Sequence, residues 1–217
     1  MSLPDSRLRV TEIFLSLQGE ASRVGLPTVF VRLTGCPLRC GYCDTEYAFQ
    51  GGEWMGPADI IQRVRAFPTR HVTVTGGEPL AQKACPELLA QLCDAGLDVS
   101  LETSGALDIA TVDPRVARIV DVKTPGSGEV ERNHWPNLDV LSPRDEVKFV
   151  LTSEADYQWA TALLKEHSIA DRCPVLFSPA WDQLDAGRLA DWVLRDGLPV
   201  RMQLQLHKIL WRDARGR

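Results

Sequence analysis

The stretch His71-Val72-Thr73-Val74-Thr75-Gly76-Gly77-Glu78-Pro79 contains the pattern that decides the fold. Its first five residues alternate between polar and apolar, which is the two-residue period of a β-strand with one polar and one apolar face. The glycines and the proline that follow predict a turn directly after this strand. A half-polar strand that runs into a distinctive turn is the unit that the rest of the chain repeats.

Six other segments are predicted to be strands, and most of them show the same alternation. They are Thr28–Leu33, Asp98–Thr103, Ile119–Val122, Val147–Leu151, Pro174–Phe177 and Val200–Leu206. Helical patterns lie between several strands, at Pro57–Ala66, Pro86–Ala95, Glu154–His167 and Asp185–Arg195, whereas residues 124–143 are predicted to form a long loop. Strands that alternate with helices predict a largely parallel sheet.

The polar faces of the strands decide between forms of that sheet. A closed eight-stranded barrel would fill its interior with branched apolar residues, whereas here Thr73, Ser100 and Lys148 stand on one polar face. An open antiparallel sheet with a solvated face is the simpler alternative. The alternation with helices favours an α/β fold, a partial, abridged (βα) barrel whose largely parallel, curled sheet lines a ligand cavity. We expect residues 1–217 to form one such domain.

Charge and composition exclude several classes of protein. With 44% hydrophobic and 24% charged residues, the 217-residue chain has ordinary globular composition rather than that of a disordered protein. Its net charge of −5 argues against a surface that coats nucleic acid. No apolar run approaches the about 18 residues of a membrane helix, and the first residues show no secretory signal. We therefore expect a cytoplasmic protein that binds neither nucleic acid nor membranes.

Three of the six cysteines lie within eight residues, at Cys36, Cys40 and Cys43. On one loop these thiolates can converge on one metal centre, whereas the other three cysteines are expected to be buried, reduced thiols. A structural zinc site would need a fourth ligand from elsewhere in the chain. Iron–sulfur clusters usually take four cysteines, so a cluster held by three leaves one iron open, as a catalytic centre needs. The spacing favours the cluster, with zinc as the alternative.

The distinctive motifs of the chain all follow predicted strands. After the strands come the cysteine loop, Gly76-Gly77-Glu78-Pro79, Ser104-Gly105, Lys123-Thr124-Pro125-Gly126 and Ser178-Pro179. In α/β folds of this kind, functional sites are built at the carboxyl ends of the strands. We therefore expect these loops to form a single site.

The cysteine loop has the form Cys-x3-Cys-x-aromatic-Cys, with Tyr42 as the aromatic residue. It resembles the signature of the radical S-adenosylmethionine enzymes, in which three cysteines hold a 4Fe-4S cluster and S-adenosylmethionine binds the open iron. The turn Gly76-Gly77-Glu78-Pro79 resembles the motif of that superfamily that receives the amino group of the cofactor. This resemblance implies that Glu78 is an acceptor beside an ammonium group.

Nearly the whole chain resembles one family, the 7-carboxy-7-deazaguanine synthases of queuosine biosynthesis. The matching stretches are Leu17-Gln18-Gly19-Glu20, Val29-Phe30-Val31-Arg32, Cys43-Asp44-Thr45, Glu102-Thr103-Ser104-Gly105 and Gln205-Leu206-His207-Lys208. The resemblance implies a homodimeric lyase that converts 6-carboxy-5,6,7,8-tetrahydropterin to 7-carboxy-7-deazaguanine with loss of ammonia. It also implies a 4Fe-4S cluster, S-adenosylmethionine, Mg2+ and an electron donor such as flavodoxin.

The resemblance also implies a role for individual positions. Cys36, Cys40 and Cys43 would hold the cluster, and Thr45 would coordinate Mg2+. The positions implied to contact the cofactor are Tyr42, Asp44, Gly76, Gly77, Glu78, Glu102, Asp121, Val122, Lys123 and Ser178. Those implied to contact the substrate are Leu17, Gln18, Gly19, Arg32 and Thr75, where Arg32 offers a planar two-point contact to a carboxylate. No catalytic acid or base is assigned.

Alternatives stay open for the roles of single residues and for the function of the whole protein. Arg32 could pair with a structural carboxylate, Thr45 could cap the helix or turn behind the cysteine loop, and His207 is expected to be a structural histidine. For the whole protein, a glycyl-radical-enzyme activase has the same cysteine spacing but would act on a partner chain. A zinc-binding interaction module is the alternative from another class of protein.

Overall fold

The computed structural model describes residues 6–212 and 214–216, so the first residues, on which the expectation of no secretory signal rests, lie largely outside it. Its strands are β1 (Leu8–Leu17), β2 (Pro27–Leu33), β3 (Glu53–Met55), β4 (His71–Gly76), β5 (Asp98–Thr103), β6 (Ala117–Asp121), β7 (Glu146–Leu151), β8 (Val175–Pro179) and β9 (Arg201–Met202). Its α-helices are α1 (Pro57–Arg65), α2 (Cys85–Asp94), α3 (Glu154–Glu166), α4 (Ala186–Asp196) and α5 (Leu206–Trp211). None of these helices is long and apolar enough to cross a membrane.

All nine strands form one sheet in the order β3-β1-β2-β4-β5-β6-β7-β8-β9. Pairing is parallel from β2 through β9, and helices supply most of the crossovers. β1 pairs antiparallel with β2 and with β3. Because β3 and β9 remain edges, the sheet does not close into a barrel. The predicted partial barrel with a largely parallel sheet is confirmed.

Local sequence signals explain most element boundaries, and the four predicted helices are present within one residue at each end. Pro57 occupies the first turn of α1, where its missing N–H costs nothing. The Ser153 side chain accepts a hydrogen bond from the backbone N–H of Asp156 and so caps α3. Gly197 ends α4 with a φ of 55°, a left-handed conformation that favours glycine.

The carboxyl-terminal part of the sheet differs from the prediction. The predicted strand Val200–Leu206 is wrong, because only Arg201–Met202 pairs with β8 and α5 begins at Leu206. Between them, the Gln203 side chain accepts the N–H of Ala21 at 2.6 Å and donates to its carbonyl at 2.9 Å. The chain therefore leaves the sheet to bond a loop that precedes β2.

Four further differences concern elements that alternation alone does not reveal. β1 is not predicted, and its pairing with β2 is interrupted by a register shift between Val10 and Glu12. β3 has only three residues. Ser178 and Pro179, predicted to form a loop, lie inside β8, and the predicted loop at 124–143 contains three short 3-10 helices.

The two faces of the sheet have opposite character. Helices cover the outer, apolar face in two clusters, with α1 and α2 over the first half of the sheet and α3 and α4 over the second. On the concave face, the buried hydroxyls of Thr73 and Ser100 share a hydrogen bond of 2.9 Å. At the amino-terminal ends of the strands, Ala21 packs with Ile119 and Leu176 and closes the concave face. The carboxyl-terminal end stays open.

Candidate active site

A cavity of about 520 Å3 opens at the carboxyl ends of the parallel strands. The cysteine loop and the turn after β4 form part of its wall, and side chains of β5, β6 and β7 form its floor. The predicted site residues that line it are Arg32, Cys36, Cys40, Tyr42, Cys43, Asp44, Thr45, Thr75, Gly76, Gly77, Glu102, Asp121 and Lys123. The fold therefore brings together most of the residues that the sequence placed in one site.

The remaining predicted residues lie off the cavity wall; they are Leu17, Gln18, Gly19, Glu78, Val122 and Ser178. Gln18 lies directly behind the wall, since its Nε2 donates to Glu102 Oε1 at 3.1 Å. A side chain at Gly19 would overlap the His207 imidazole, so this glycine permits the close approach of α5. Val122 packs in the outer core, and Ser178 is buried in β8.

The two-glycine turn after β4 packs directly on the cysteine loop. The backbone N–H of Glu78 donates to the Gly35 carbonyl at 2.8 Å. A Cβ on Gly77 would overlap Gly35 and Cys36, and a Cβ on Gly76, whose φ is 151°, would overlap the backbone of Leu33. Only glycine allows backbones to approach this closely. The turn therefore sets where the cysteine loop begins, whatever it binds.

The Glu78 carboxylate accepts its hydrogen bonds from groups inside the protein. It is fully buried, and it accepts hydrogen bonds from Thr103 Oγ1 at 2.9 Å and from the N–H and hydroxyl of Ser104 at 2.7 and 2.5 Å. It also accepts the N–H of Leu80 at 2.9 Å. These bonds tie the turn after β4 to the end of β5. The structure thus places this side chain behind the cavity wall rather than on it.

The three cysteines of the loop are free, half-buried thiols on the cavity wall. Burial raises the pKa of Cys40 to about 11, although the Lys123 ammonium opposes that shift. Burial likewise raises the pKa of Cys36 and Cys43. Since the thiolate is the metal ligand, binding of a metal centre here would release protons from these thiols.

The donor set of the loop can be compared with two kinds of metal centre. Within the described residues, no group of three or more His, Cys, Asp or Glu side chains is placed to hold a single ion. A structural zinc site requires four ligands around one ion. In an iron–sulfur cluster each cysteine binds its own iron, so the sulfurs stand apart. Three half-buried thiols on one cavity wall, without a fourth ligand grouped with them among the described residues, fit a cluster better than a four-ligand zinc site.

Four charged side chains form a network on the cavity floor. Lys148 Nζ hydrogen-bonds the Glu20 carboxylate and lies 4.0 Å from Asp121 Oδ2, and Lys123 Nζ lies 3.1 Å from that same oxygen. Burial alone would raise the pKa of Glu20, but Lys148 holds it below its usual value. Burial and repulsion from Glu20 raise the pKa of Glu102. The floor therefore presents two fixed ammonium groups beside carboxylates of unequal acidity.

Two fully buried polar atoms of residues that line the cavity lack hydrogen-bond partners among the described residues. They are the Tyr42 hydroxyl and Asp121 Oδ1, both buried. The Lys123 ammonium lies 5.7 Å from the centre of the Tyr42 ring. Buried polar atoms in proteins are nearly always hydrogen-bonded. These two therefore fit a ligand that supplies both an acceptor and a donor at this wall.

Arg32 is paired with a carboxylate, as the structural alternative proposed, but through one nitrogen only. Its Nε donates to Glu12 Oε1 at 2.7 Å, and the Tyr47 hydroxyl donates to the same oxygen at 2.8 Å. Within the described chain, its two terminal nitrogens make no hydrogen bond. Arg32 lines both the main cavity and an adjoining cavity of about 280 Å3. The guanidinium is thus oriented by Glu12 with its outer edge available to an anion.

At the cavity mouth, Thr45 stands at the N-cap position of a short helix, as the structural alternative proposed, but without a side-chain capping bond. Its hydroxyl makes no capping bond to the 3-10 helix Glu46–Ala48 and donates instead to Asp44 Oδ1 at 2.7 Å. Partial desolvation opposes ionisation of Asp44, but the nearby His207 and the Thr45 hydroxyl hold its pKa far below the usual range. His207 Nε2 lies 3.8 Å from Asp44 Oδ2. The mouth therefore carries an anionic oxygen beside a hydroxyl.

Comparison with known proteins agrees with these features. The chain matches the Radical SAM superfamily over residues 30–176. It is 49% identical to the 7-carboxy-7-deazaguanine synthase of Chlorobaculum tepidum over 98% of both chains. It is 42% identical to that of Koribacter versatilis, over 94% of this chain and 97% of the relative.

Among solved structures, QueE from Escherichia coli has a TM-score of 0.72 at 24% identity, covering 93% of this chain and 95% of that one, which shows a shared fold. The resemblance inferred from the cysteine loop and the other motifs is confirmed. This chain belongs to the radical S-adenosylmethionine superfamily and, within it, to the 7-carboxy-7-deazaguanine synthase family.

Proposed function

We propose that this chain is a lyase that converts 6-carboxy-5,6,7,8-tetrahydropterin to 7-carboxy-7-deazaguanine with loss of ammonia. One observation carries the proposal. The cysteine loop, the two-glycine turn and Arg32 line a single cavity at the carboxyl ends of the strands, in a chain 49% identical to a protein named 7-carboxy-7-deazaguanine synthase. Sites of α/β enzymes are built at this end of the sheet.

The cavity wall supports the proposed cofactors. Cys36, Cys40 and Cys43 would hold a 4Fe-4S cluster, which with bound S-adenosylmethionine supplies the 5′-deoxyadenosyl radical for hydrogen abstraction. The Tyr42 hydroxyl and Asp121 Oδ1 would bind polar groups of S-adenosylmethionine, because both lack partners in the described chain. The other positions implied to contact this cofactor stay predictions, except Glu102, for which we propose a contact with the substrate instead. For Glu78, the proposed role is to hold the turn rather than to touch the cofactor.

The cavity floor supports a pterin substrate. The edge of a pterin combines donors on its ring nitrogen and amino group with an acceptor on its oxygen. Glu20 and Glu102 offer acceptors and Lys148 a donor, and all three line the cavity. Glu102 is held by Thr75 Oγ1 at 2.9 Å and by Gln18 Nε2 at 3.1 Å. We propose that Thr75 and Gln18 serve the substrate chiefly by fixing this carboxylate.

Arg32 supports recognition of the substrate carboxylate. A guanidinium binds a carboxylate through two parallel hydrogen bonds, and its planar shape fixes the angle of approach. Glu12 already holds the Nε of Arg32, so the two terminal nitrogens are oriented before a substrate arrives. Such preorganisation lowers the ordering cost of binding.

Thr45 and Asp44 support the proposed Mg2+ site at the cavity mouth. Mg2+ prefers oxygen ligands and usually keeps water or substrate oxygens in its shell. The Thr45 hydroxyl would hold the ion, and the neighbouring Asp44 carboxylate stays ionised because His207 and Thr45 stabilise its charge. We further propose a homodimer in the cytoplasm that receives electrons from flavodoxin or a similar reductant.

The experiment that tests this function is anaerobic reconstitution. Protein reconstituted with iron and sulfide should bind about four of each per chain. With S-adenosylmethionine, a reductant, Mg2+ and the carboxypterin, it should form 5′-deoxyadenosine and 7-carboxy-7-deazaguanine, measured by mass spectrometry. Cys40→Ala should abolish both products, whereas Cys93→Ala, outside the cavity, should retain them. Stoichiometric zinc without iron uptake, or cofactor cleavage with no deazaguanine product, would contradict the proposal.

A further inference from the structure

We propose that residues 124–129, which follow β6, form a clamp that fixes the middle of the cysteine loop, whereas the two-glycine turn holds its start. Glu129 is its positioning residue, and the chemical purpose of the clamp rests on the proposed function. The clamp acts on backbone amides of the loop rather than on the cysteine side chains.

The clamp holds the backbone N–H groups of the two residues that flank the middle cysteine. The backbone N–H of Arg39 donates to Glu129 Oε1 at 2.5 Å, and the N–H of Gly41 donates to the Ser127 carbonyl at 3.0 Å. Arg39 and Gly41 are the residues directly before and after Cys40. The contacts of the two-glycine turn with the loop are at the start of the loop, through Gly35 and Cys36. The position of Cys40 therefore depends on the clamp.

The clamp is itself rigidly built. Ser127 is 1% exposed, and its hydroxyl donates to the Thr124 carbonyl at 2.6 Å and accepts the N–H of Glu129 at 3.0 Å. The Thr124 hydroxyl donates to the Val150 carbonyl of β7 at 3.1 Å. These bonds connect Glu129 to the sheet through buried side chains. A flexible surface loop would not have this internal network.

A buried carboxylate from α3 anchors the clamp from outside. Asp156 is 1% exposed, and its Oδ1 accepts the N–H of Gly126 at 2.8 Å. Its Oδ2 accepts the N–H and the hydroxyl of Thr152 at 3.0 and 2.7 Å. A side chain at Gly126 would overlap both Thr152 and Asp156, so this position requires glycine. Asp156 thus links the start of α3 to the loop that carries Glu129.

The benefit of the clamp is preorganisation of a metal-binding loop. Ordering a residue of a free loop costs about 1–2 kcal/mol of backbone entropy. If the backbone N–H groups of the residues on both sides of Cys40 are already fixed, this loss of entropy does not weaken binding of the cluster. We therefore expect loss of the Glu129 contact to loosen residues 37–43 and to speed iron loss, without lowering the stability of the whole chain.

The test compares Glu129→Ala with Glu131→Ala, its exposed neighbour in the short turn Val130–Arg132. The first readout is hydrogen exchange of peptides that cover residues 37–43 in the metal-free full-length protein. We expect about tenfold faster exchange in Glu129→Ala, as for loss of one hydrogen bond to a charged group, and no change in Glu131→Ala. Glu129→Gln, which keeps an acceptor oxygen, should restore most of the protection.

The second readout is the rate at which a chelator removes iron from the reconstituted protein. We expect about tenfold faster loss in Glu129→Ala than in Glu131→Ala, with equal melting temperatures. Equal exchange and equal iron loss in the two variants would overturn the proposal. So would faster exchange spread over the whole chain, because that would indicate a general structural role. If the wild-type chain took up no iron, the proposed function would fail, and the exchange comparison would still decide whether the clamp exists.

Discussion

Two clusters of buried polar and charged groups lie on opposite faces of β6. They differ in whether all of their polar atoms have hydrogen-bond partners. On the outer face, Arg118 Nε and Nη2 donate to the two carboxylate oxygens of Asp145 at 2.9 and 2.6 Å. The N–H and hydroxyl of Ser142 also donate to Asp145, both at 2.8 Å. On the concave face, by contrast, one carboxylate oxygen of Asp121 has no hydrogen-bond partner among the described residues. The nearby Tyr42 hydroxyl also has none.

We infer that the difference separates groups that stabilise the fold from groups that are available to bind a ligand. A buried ion pair is tolerated when every donor and acceptor is matched, because removal of water from a charge is costly. The Arg118–Asp145 pair meets that condition within the chain itself. The cavity groups do not, and unmet polar atoms that face a cavity are typical of functional sites. Variants of the two clusters should therefore change different measured quantities.

The largest expected effect is on the outer cluster. Arg118→Met should lower the free energy of unfolding by about 3–5 kcal/mol, because Asp145 would remain buried without its partner. Urea denaturation of the metal-free protein measures this change. Arg115→Met, which removes an exposed arginine paired with Asp113, should leave the unfolding curve unchanged. An equal loss of unfolding free energy in the two variants would show that the buried Arg118–Asp145 pair stabilises the fold no more than an exposed pair.

The same pair predicts a pH dependence. Burial alone would raise the pKa of Asp145, but hydrogen bonds from Arg118 and Ser142 hold it below the usual 3.8. A carboxyl whose pKa is depressed in the folded state adds stability above its unfolded pKa and loses it as the pH falls through the folded value. Wild-type stability should therefore fall below about pH 3.8, and Arg118→Met should show a shallower fall there.

A smaller effect, on activity rather than stability, is expected at the cavity mouth. Thr45→Val keeps the branched shape and removes the hydroxyl, the group that would bind Mg2+. We expect 5′-deoxyadenosine still to form, while 7-carboxy-7-deazaguanine output falls about tenfold and loses most of its response to added Mg2+. Quantifying both products across a Mg2+ titration measures this. Equal stimulation by Mg2+ in variant and wild type would show that the ion, if used, is held elsewhere.

Alternating patterns and motifs in the sequence were sufficient to predict the concave face and most of the cavity wall. Thr73 and Ser100 stand on that face because strand periodicity alone determines which side chains share a side. Gly76 and Gly77 were predicted to form a turn after the strand, and the structure has this turn, packed on Leu33 and Gly35. Such features depend on residues that are near in sequence or on one strand.

Contacts between distant parts of the chain could not be predicted in this way. Glu20 and Lys148 are 128 positions apart and meet only because the sheet curls. The Glu12 partner of Arg32 lies on β1, whose register shift interrupts its pairing with β2. For Glu78, the motif identifies an acidic residue after the glycines but not the direction of its side chain, which depends on the packing of Ser104 behind the turn.

The smallest effect gives the sharpest comparison, because two Tyr→Phe variants should change stability in opposite directions. Tyr157 is buried, and its single hydroxyl proton is shared between two acceptors, the Trp192 carbonyl at 2.9 Å and Asp196 Oδ2 at 2.8 Å. Tyr157→Phe removes this hydrogen bond and should lower the free energy of unfolding by about 1 kcal/mol. The buried hydroxyl of Tyr42 has no partner among the described residues, so Tyr42→Phe removes an unmet polar group.

Tyr42→Phe should therefore raise the free energy of unfolding of the metal-free protein by about 1 kcal/mol, since a buried group without a hydrogen bond costs about 1–3 kcal/mol. In the reconstituted protein the same variant should bind S-adenosylmethionine more weakly, because the hydroxyl is then matched by the cofactor. Parallel urea curves and equilibrium binding measure the two effects. If Tyr42→Phe lowered stability as much as Tyr157→Phe, the wild-type Tyr42 hydroxyl would have a hydrogen-bond partner without a ligand. The cavity wall would then need no ligand at this position.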